Sequence, residues 1–162
     1  MRLVVFSDTH GRVQLLPQCV RRTSPDILVH LGDHFRDADI LSREFPEIPL
    51  YVLPGNCDFM SRAEPDTLEF FAGQAKVFAT HGHRYGVKST MDSLLNSAHF
   101  SGAQLVLYGH THAALIDYVS GMTVVNPGSS GLGGEPSFAQ IDIREDKIAA
   151  KILPVSPKDP YM

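Results

Sequence analysis

The chain has 162 residues, of which 43% are hydrophobic and 20% charged, with a formal net charge of −4. That length fits one domain, residues 1–162, with a real core, and the composition is ordinary for a soluble globular protein. Scattered basic residues in an acidic chain exclude a broad nucleic-acid grip, and no apolar run approaches the ~20 residues of a membrane span.

The chain opens on RLVVF, Arg2 to Phe6, a β-branched run too short for a buried helix and therefore expected to be a strand. It breaks off into Asp8-Thr9-His10-Gly11. Residues two apart in an extended chain point the same way, so Asp8 and His10 should leave the strand end together. Leu16 to Arg22 reads as a short helix with Pro17 in its first turn, and Ser24-Pro25-Asp26 turns into a second apolar run, Ile27 to Asp33, that ends in a carboxylate. Asp37 or Asp39 is expected to cap a helix through Arg43-Glu44, stopped by Pro46 and Pro49. Leu50 to Asn56 ends in an amide, with Asp58 two further on. This is a β-α-β-α-β opening of the parallel, right-handed crossover kind.

Phe59 to Pro65 is loop-like. Thr67 to Phe71 and Lys76 to Ala79 read as paired strands around Ala72-Gly73-Gln74, the second running on to His81. A helix starting at Ser89 or Thr90 puts Met91, Leu94, Leu95 and Ala98 on one face and ends at Ser101-Gly102. The strand Leu105 to Tyr108 leads to His110, with His112 two further on. Ala114 to Val119 and Met122 to Val125 form a hairpin about Ser120-Gly121, and Phe138 to Ile143 and Ile148 to Val155 another about Glu145-Asp146. The tail from Ser156 is irregular. The expected fold is α/β: a parallel half followed by an antiparallel half, packed as two sheets with helices outside.

Five strands thus each deliver a metal-type ligand at the carboxyl end, the edge where open α/β sheets bind ligands. In order these are Asp8, His10, Asp33, Asn56, His81, His110 and His112. They are too many for one tetrahedral zinc, and no cysteine cluster accompanies them. Mixed oxygen and nitrogen ligands suit Mn²⁺, Fe²⁺, Co²⁺ or Ni²⁺, with zinc left open. Seven side chains suit two ions sharing one carboxylate, roughly 3.5–4 Å apart. Cys19 and Cys57 allow one disulfide at most, and a reducing compartment, the cytoplasm, is expected.

The motifs SDTHG, LGD, GNCD, HGH and GHTH, in this order, resemble those of the calcineurin-like metallophosphoesterases. The whole chain is similar to the small single-domain phosphodiesterases of that superfamily, a branch related to the retromer scaffold subunit. The resemblance implies a two-sheet β-sandwich of mixed strands flanked by helices. It also implies two divalent cations, manganese first, with nickel, cobalt, iron or zinc as alternatives. Asp8, His10 and His112 would hold one ion, Asn56, His81 and His110 the other, and Asp33 would bridge them. A bridging water or hydroxide would attack phosphorus in line. The implied substrate is a small phosphodiester, with Asn56, His81 and His34 as contact candidates and His83 and Arg84 as weaker ones. Two dications, two carboxylates and a hydroxide leave about +1 at the cluster, a local attraction for a phosphodiester anion.

Where many members carry GNH followed by an acid, this chain has Gly55-Asn56-Cys57-Asp58. Asn56, Cys57 and Asp58 therefore occupy the catalytic segment, but Cys57 cannot protonate a leaving group as a histidine does, because nearby cations favour thiolate. GNCD is itself typical of the small phosphodiesterase branch. Asn126-Pro127-Gly128-Ser129 resembles a family loop beside the metals. Thr9 and Thr111 are expected to orient the histidines, while His30 and His99 read as structural. Imidazoles must be neutral to bind metal, so activity is expected to fall on acidification through roughly pH 6–7. A phosphomonoesterase and a non-catalytic scaffold of the same fold are the alternatives. Selectivity is assigned to loops near Phe35, Phe59 and Arg84, and homo-oligomerisation is left open.

Overall fold

The computed structural model describes residues 1–58 and 65–156. The loop expected from Phe59 and the tail beyond Ser156 lie outside the described residues. The strands are β1 (Arg2–Phe6), β2 (Ile27–His30), β3 (Leu50–Val52), β4 (Thr67–Ala72), β5 (Ala75–Thr80), β6 (Leu105–Leu107), β7 (Leu115–Val119), β8 (Met122–Asn126), β9 (Ser137–Arg144) and β10 (Lys147–Pro154). The α-helices are α1 (Leu16–Thr23), α2 (Asp39–Glu44) and α3 (Asp92–Ser101). One sheet runs β10-β9-β1-β2-β3 and the other β4-β5-β6-β8-β7.

The apolar runs are continuous because both faces of the central strands are covered. In β1, Leu3 and Val5 face the opposite sheet, where they share a core with Val77, Leu105 and Val125. Val4 and Phe6 face outward and are covered by Leu16, Cys19 and Val20 of α1 and by Leu41 of α2. On the other sheet, Phe78, Val106 and Val124 face outward against Leu94 and Ala98 of α3. The stacked rings of Tyr51 and Phe70, 4.0 Å between centroids, tie the edges of the two sheets together. Both cysteines are free. No helix among the described residues is long and apolar enough to cross a membrane.

Three expectations are corrected. The parallel and antiparallel strands do not separate into halves. In the first sheet the parallel run β1–β2–β3 makes one side, with β3 at the edge, and antiparallel β9 and β10 make the other; in the second, parallel β5–β6–β8 form the centre between antiparallel β4 and β7. The closing hairpin returns to pair β9 with β1, so β9 lies inside the sheet and β10 takes its edge. Neither Asp37 nor Asp39 caps α2. A 3-10 turn over Phe35–Ala38 leads straight into that helix, whose N-cap is Ala38, and the Asp37 carboxylate is used elsewhere. Finally, α3 begins at Asp92, with Thr90 Oγ1 accepting the Asp92 N–H at 3.2 Å.

His30, at the end of β2, is fully buried. Its Nδ1 accepts the Gly32 N–H at 3.2 Å, and its Nε2 lies 3.1 Å from Thr9 Oγ1. Burial pulls its imidazole down from 6.5 to about 4, against the opposing charges of Asp37 and Asp58. The folded value lies below the unfolded one, so the unfolded chain takes up the proton first. Stability is therefore intact above about pH 6.5 and is lost as pH falls toward 4. We expect the melting temperature of the metal-free protein to drop across that window. His30→Asn keeps an acceptor for Gly32; it should lower overall stability but flatten the slope by up to one proton, about 1.4 kcal/mol per pH unit. An unchanged slope in thermal denaturation at stepped pH would rule out a neutral, buried His30.

Candidate metal centre

The ligand candidates follow the carboxyl ends of β1, β2, β3, β5 and β6, so the site spans the top of the sandwich and draws on both sheets. Asp8, His10, Asp33, His110 and His112 all adopt left-handed backbone, with φ between +47° and +68°. That conformation is uncommon for residues with a side chain and concentrates at functional sites. Main-chain bonds beyond the regular strands hold these turns. Asp8 N–H donates to Gly32 O (2.9 Å), Gly109 N–H to His81 O (3.0 Å) and Ser130 N–H to Ser7 O (2.8 Å). Two glycines let the segments approach: a Cβ on Gly55 would collide with the Asp33 carboxylate, and one on Gly109 with the Ser7 hydroxyl.

Asp8, His10, Asp33 and His112 bring one ligand atom each into a group whose members lie within 4.8 Å of one another. Asp8 is fully buried; its Oδ2 accepts the Ser7 hydroxyl at 2.5 Å and the His110 N–H at 3.2 Å. Its Oδ1 makes no hydrogen bond, and His112 Nε2, 3.0 Å away, lies off the direction such a bond needs. His10 Nε2 is also buried without a hydrogen bond and stands 3.8 Å from Asp33 Oδ2. Burial raises the Asp33 carboxyl, but the Cys57 N–H, at 2.8 Å, and the neighbouring imidazoles outweigh it. The net effect holds Asp33 below the usual carboxylate range.

The second group faces the same carboxylate. His81 is fully buried, with Nδ1 2.9 Å from the Leu31 carbonyl. A carbonyl only accepts, so Nδ1 donates to it and Nε2 is the ring nitrogen that faces the site. Around that nitrogen stand Asn56 Oδ1 at 3.1 Å, Asp33 Oδ1 at 3.6 Å and Asp8 Oδ1 at 4.0 Å. The His110 ring lies 5.1 Å from that of His81. Burial and the nearby His81 and Lys88 charges pull His110 down to about 4, so it is neutral at pH 7.

Asp8, His10, Asp33 and His112 thus form one close group, with His81 facing its carboxylates, Asn56 hydrogen-bonded to His81 and the His110 ring beside it. Orphaned buried acceptors around one space are the arrangement a cation satisfies, and two carboxylates with imidazoles and an amide suit a divalent ion of intermediate hardness. The Leu31 carbonyl behind His81 is the outer partner that fixes a metal-binding tautomer.

The remaining candidates divide by location. Cys57 is largely exposed; partial desolvation where its thiol meets the site, then its hydrogen bond to the Asp33 carboxylate and that group's charge, push it up to about 11. Asp58 accepts the N–H groups of His34 (2.9 Å), Phe35 (3.2 Å) and Gly55 (2.8 Å), joining the turns after β2 and β3. His34 sits on the rim with its ring 5.3 Å from His10, and His83 lies 5.4 Å from His81. Arg84 points to Asp66, with a 2.9 Å ion pair. His99 is exposed in the last turn of α3. Thr111 Oγ1 accepts from Asn126 Nδ2 at 2.9 Å, and the same amide donates to Gly109 O at 3.1 Å, so Asn126 braces the GHTH turn. Sequence reasoning missed the part of Ser7, which fixes Asp8; Ser129, in the loop that resembles a family loop beside the metals, donates its hydroxyl to Asp8 O at 2.7 Å. It also missed the engagement of Asp37 with the first turn of the site.

Comparison with known proteins agrees with this geometry. Residues 1–146 match the calcineurin-like phosphoesterase superfamily domain. The probable metallophosphoesterase YsnB of Bacillus subtilis is 33% identical over 131 residues, covering 80% of this chain and 75% of that protein. A phosphodiesterase of Methanocaldococcus jannaschii is 22% identical over 173 residues, covering 94% and 99% of the two chains. Among solved structures, a predicted phosphoesterase from Streptococcus pneumoniae superimposes with a TM-score of 0.79 at 26% identity, over 95% of this chain and 89% of the other. With motif order, sandwich topology and ligand convergence all in agreement, the chain belongs to the calcineurin-like phosphoesterase superfamily.

Proposed function

We propose that the protein is a divalent-metal-dependent phosphodiesterase that hydrolyses small phosphodiesters with two ions, manganese being the first choice. The reading rests on Asp33. Its Oδ2 faces His10 at 3.8 Å and its Oδ1 faces His81 at 3.6 Å, so one buried carboxylate addresses both ligand groups. When bound, a pair of dications supplies Lewis-acid polarisation of phosphoryl oxygens and a water acidic enough to ionise near neutral pH. The chain's own part is positional. Asp8 and Asp33 carry the charge that retains the ions, and His10, His112, His81 and His110 complete the two groups. Asn56, exposed at the rim, places its amide where a phosphoryl oxygen would arrive.

A diester is favoured over a monoester by the relative named a phosphodiesterase and by the residue at position 57. A thiol held near 11 gives up its proton reluctantly, and a thiolate drawn out by cations has none to give. Neither form protonates a poor leaving group well. A scaffold without catalysis would need none of the seven ligands in register.

After chelation, Mn²⁺ should restore hydrolysis of a chromogenic aryl phosphodiester. Asp33→Ala should lower the rate more than about 100-fold and leave at most one bound ion by metal analysis. Absence of turnover with every divalent metal tried would favour the scaffold, and two retained ions in Asp33→Ala would refute the bridging assignment. Across a series of leaving groups, log kcat should fall steeply as leaving-group pKa rises, and Cys57→His should flatten the dependence. A flat dependence in the unsubstituted protein, with chemistry rate-limiting, would refute the account of Cys57.

A further inference from the structure

Behind the first ligand group runs a directed chain of polar contacts that the proposed reaction does not use. Gly32 N–H donates to His30 Nδ1 at 3.2 Å, so that nitrogen carries no proton. In a ring kept neutral by burial, the single proton is then on Nε2, 3.1 Å from Thr9 Oγ1. With the hydroxyl accepting there, its own proton goes to Asp37 Oδ2 at 2.7 Å; the Asp33 carbonyl, at 3.4 Å, is a poorer acceptor. The same Asp37 oxygen accepts the Gly11 N–H at 2.6 Å.

The chain starts one residue before Asp33 and ends on both neighbours of His10. A single carboxylate oxygen grips the Thr9 side chain and the Gly11 amide, while His10 itself, at φ +47°, has a buried Nε2 with no hydrogen bond. Local backbone preference does not favour this turn, and the ring makes no hydrogen bond that would fix it. Thr9 is fully buried, so water cannot substitute for the contact inside.

We propose that Asp37 is a positioning residue that, through Thr9 and His30, sets the metal affinity of the Asp8/His10/Asp33/His112 group. The imidazole central to the other group, His81, is oriented instead by the Leu31 carbonyl. The proposal rests on the metal reading above.

The test is calorimetric titration of Mn²⁺ into the chelator-stripped full chain in two backgrounds. His81→Ala disables the second group and leaves the first; His112→Ala disables the first and leaves the second. Asp37→Ala should weaken Mn²⁺ binding about 10- to 100-fold in the His81→Ala background and less than about threefold in the His112→Ala background. Asp37→Asn keeps an oxygen for both donors and should recover most of the loss. Thr9→Val, which cuts the chain one link earlier, should reproduce it. If Asp37→Ala does not fold by circular dichroism, Asp37→Asn and Thr9→Val carry the comparison. Equal weakening in both backgrounds, or unchanged affinity in the first, overturns the proposal. Absence of Mn²⁺ binding to the unsubstituted chain overturns the metal reading itself, a different and separable failure.

Discussion

Asp8 Oδ1, both oxygens of Asp33 and the Nε2 atoms of His10, His81 and His112 face one another across the top of the sandwich, between 3.0 and 4.0 Å apart where they pair. In a buried pocket such groups cannot be left unsatisfied without cost. They must share protons or share a cation. For His81 the Leu31 carbonyl takes the Nδ1 proton, which turns Nε2 toward the Asn56 amide oxygen and the Asp33 carboxylate. Asp8 Oδ1 and His10 Nε2, which have no hydrogen bond, are satisfied by what enters the pocket, so occupancy by a cation and folding stability should be linked.

The backbone bears part of the same load. Five ligand residues in left-handed conformation cost roughly 1 kcal/mol or more each. The bend has a use: it turns the chain away from the strand direction just as it leaves the sheet, so consecutive loop residues need not alternate between faces. His10 and His112 illustrate it. Each follows a threonine whose hydroxyl is held from another element, Thr9 by Asp37 and Thr111 by Asn126. Two unrelated side chains, an acceptor in one case and a donor in the other, brace equivalent Thr-His steps.

Much of this was legible in the sequence because strand ends are written twice, once as apolar runs and once as the residues that break them. The candidate positions fell out of that punctuation: Asp8, His10, Asp33 and His112 group closely, with His81, Asn56 and His110 beside them. The strand pairing was less legible. β9 and β10 read as a local hairpin, and nothing in their period-2 pattern tells whether β9 joins its neighbour in sequence or returns to β1. Asp37 was misread for a similar reason. Aspartate before a helix is a reliable cap signal, yet the chain enters α2 through a 3-10 turn and spends that carboxylate 28 residues back on Thr9. Local rules rank local partners and are silent on a distant one that offers two donors. Cys57 was anticipated as unlike a histidine, but the hydrogen bond from its N–H to Asp33 makes the segment part of the ligand frame whatever its thiol does.

The two sheets divide the ligand chemistry between them. Strands β1, β2 and β3 supply both carboxylates and the amide, with His10 as their one imidazole; β5 and β6 of the other sheet supply His81, His110 and His112. All the fixed negative charge therefore stands on one sheet and faces imidazoles on the other. Contacts across that seam include His112 with Asp8, His81 with Asn56 and Asp33, and the His110 N–H with Asp8. The relative placement of the sheets, set below by Leu3, Val5, Val77, Leu105 and Val125, fixes the separation of the ligand groups. A core substitution that shifts one sheet on the other by a fraction of an ångström would thus reach the metal centre without touching any ligand, because close-packed interiors transmit such strain rather than absorb it.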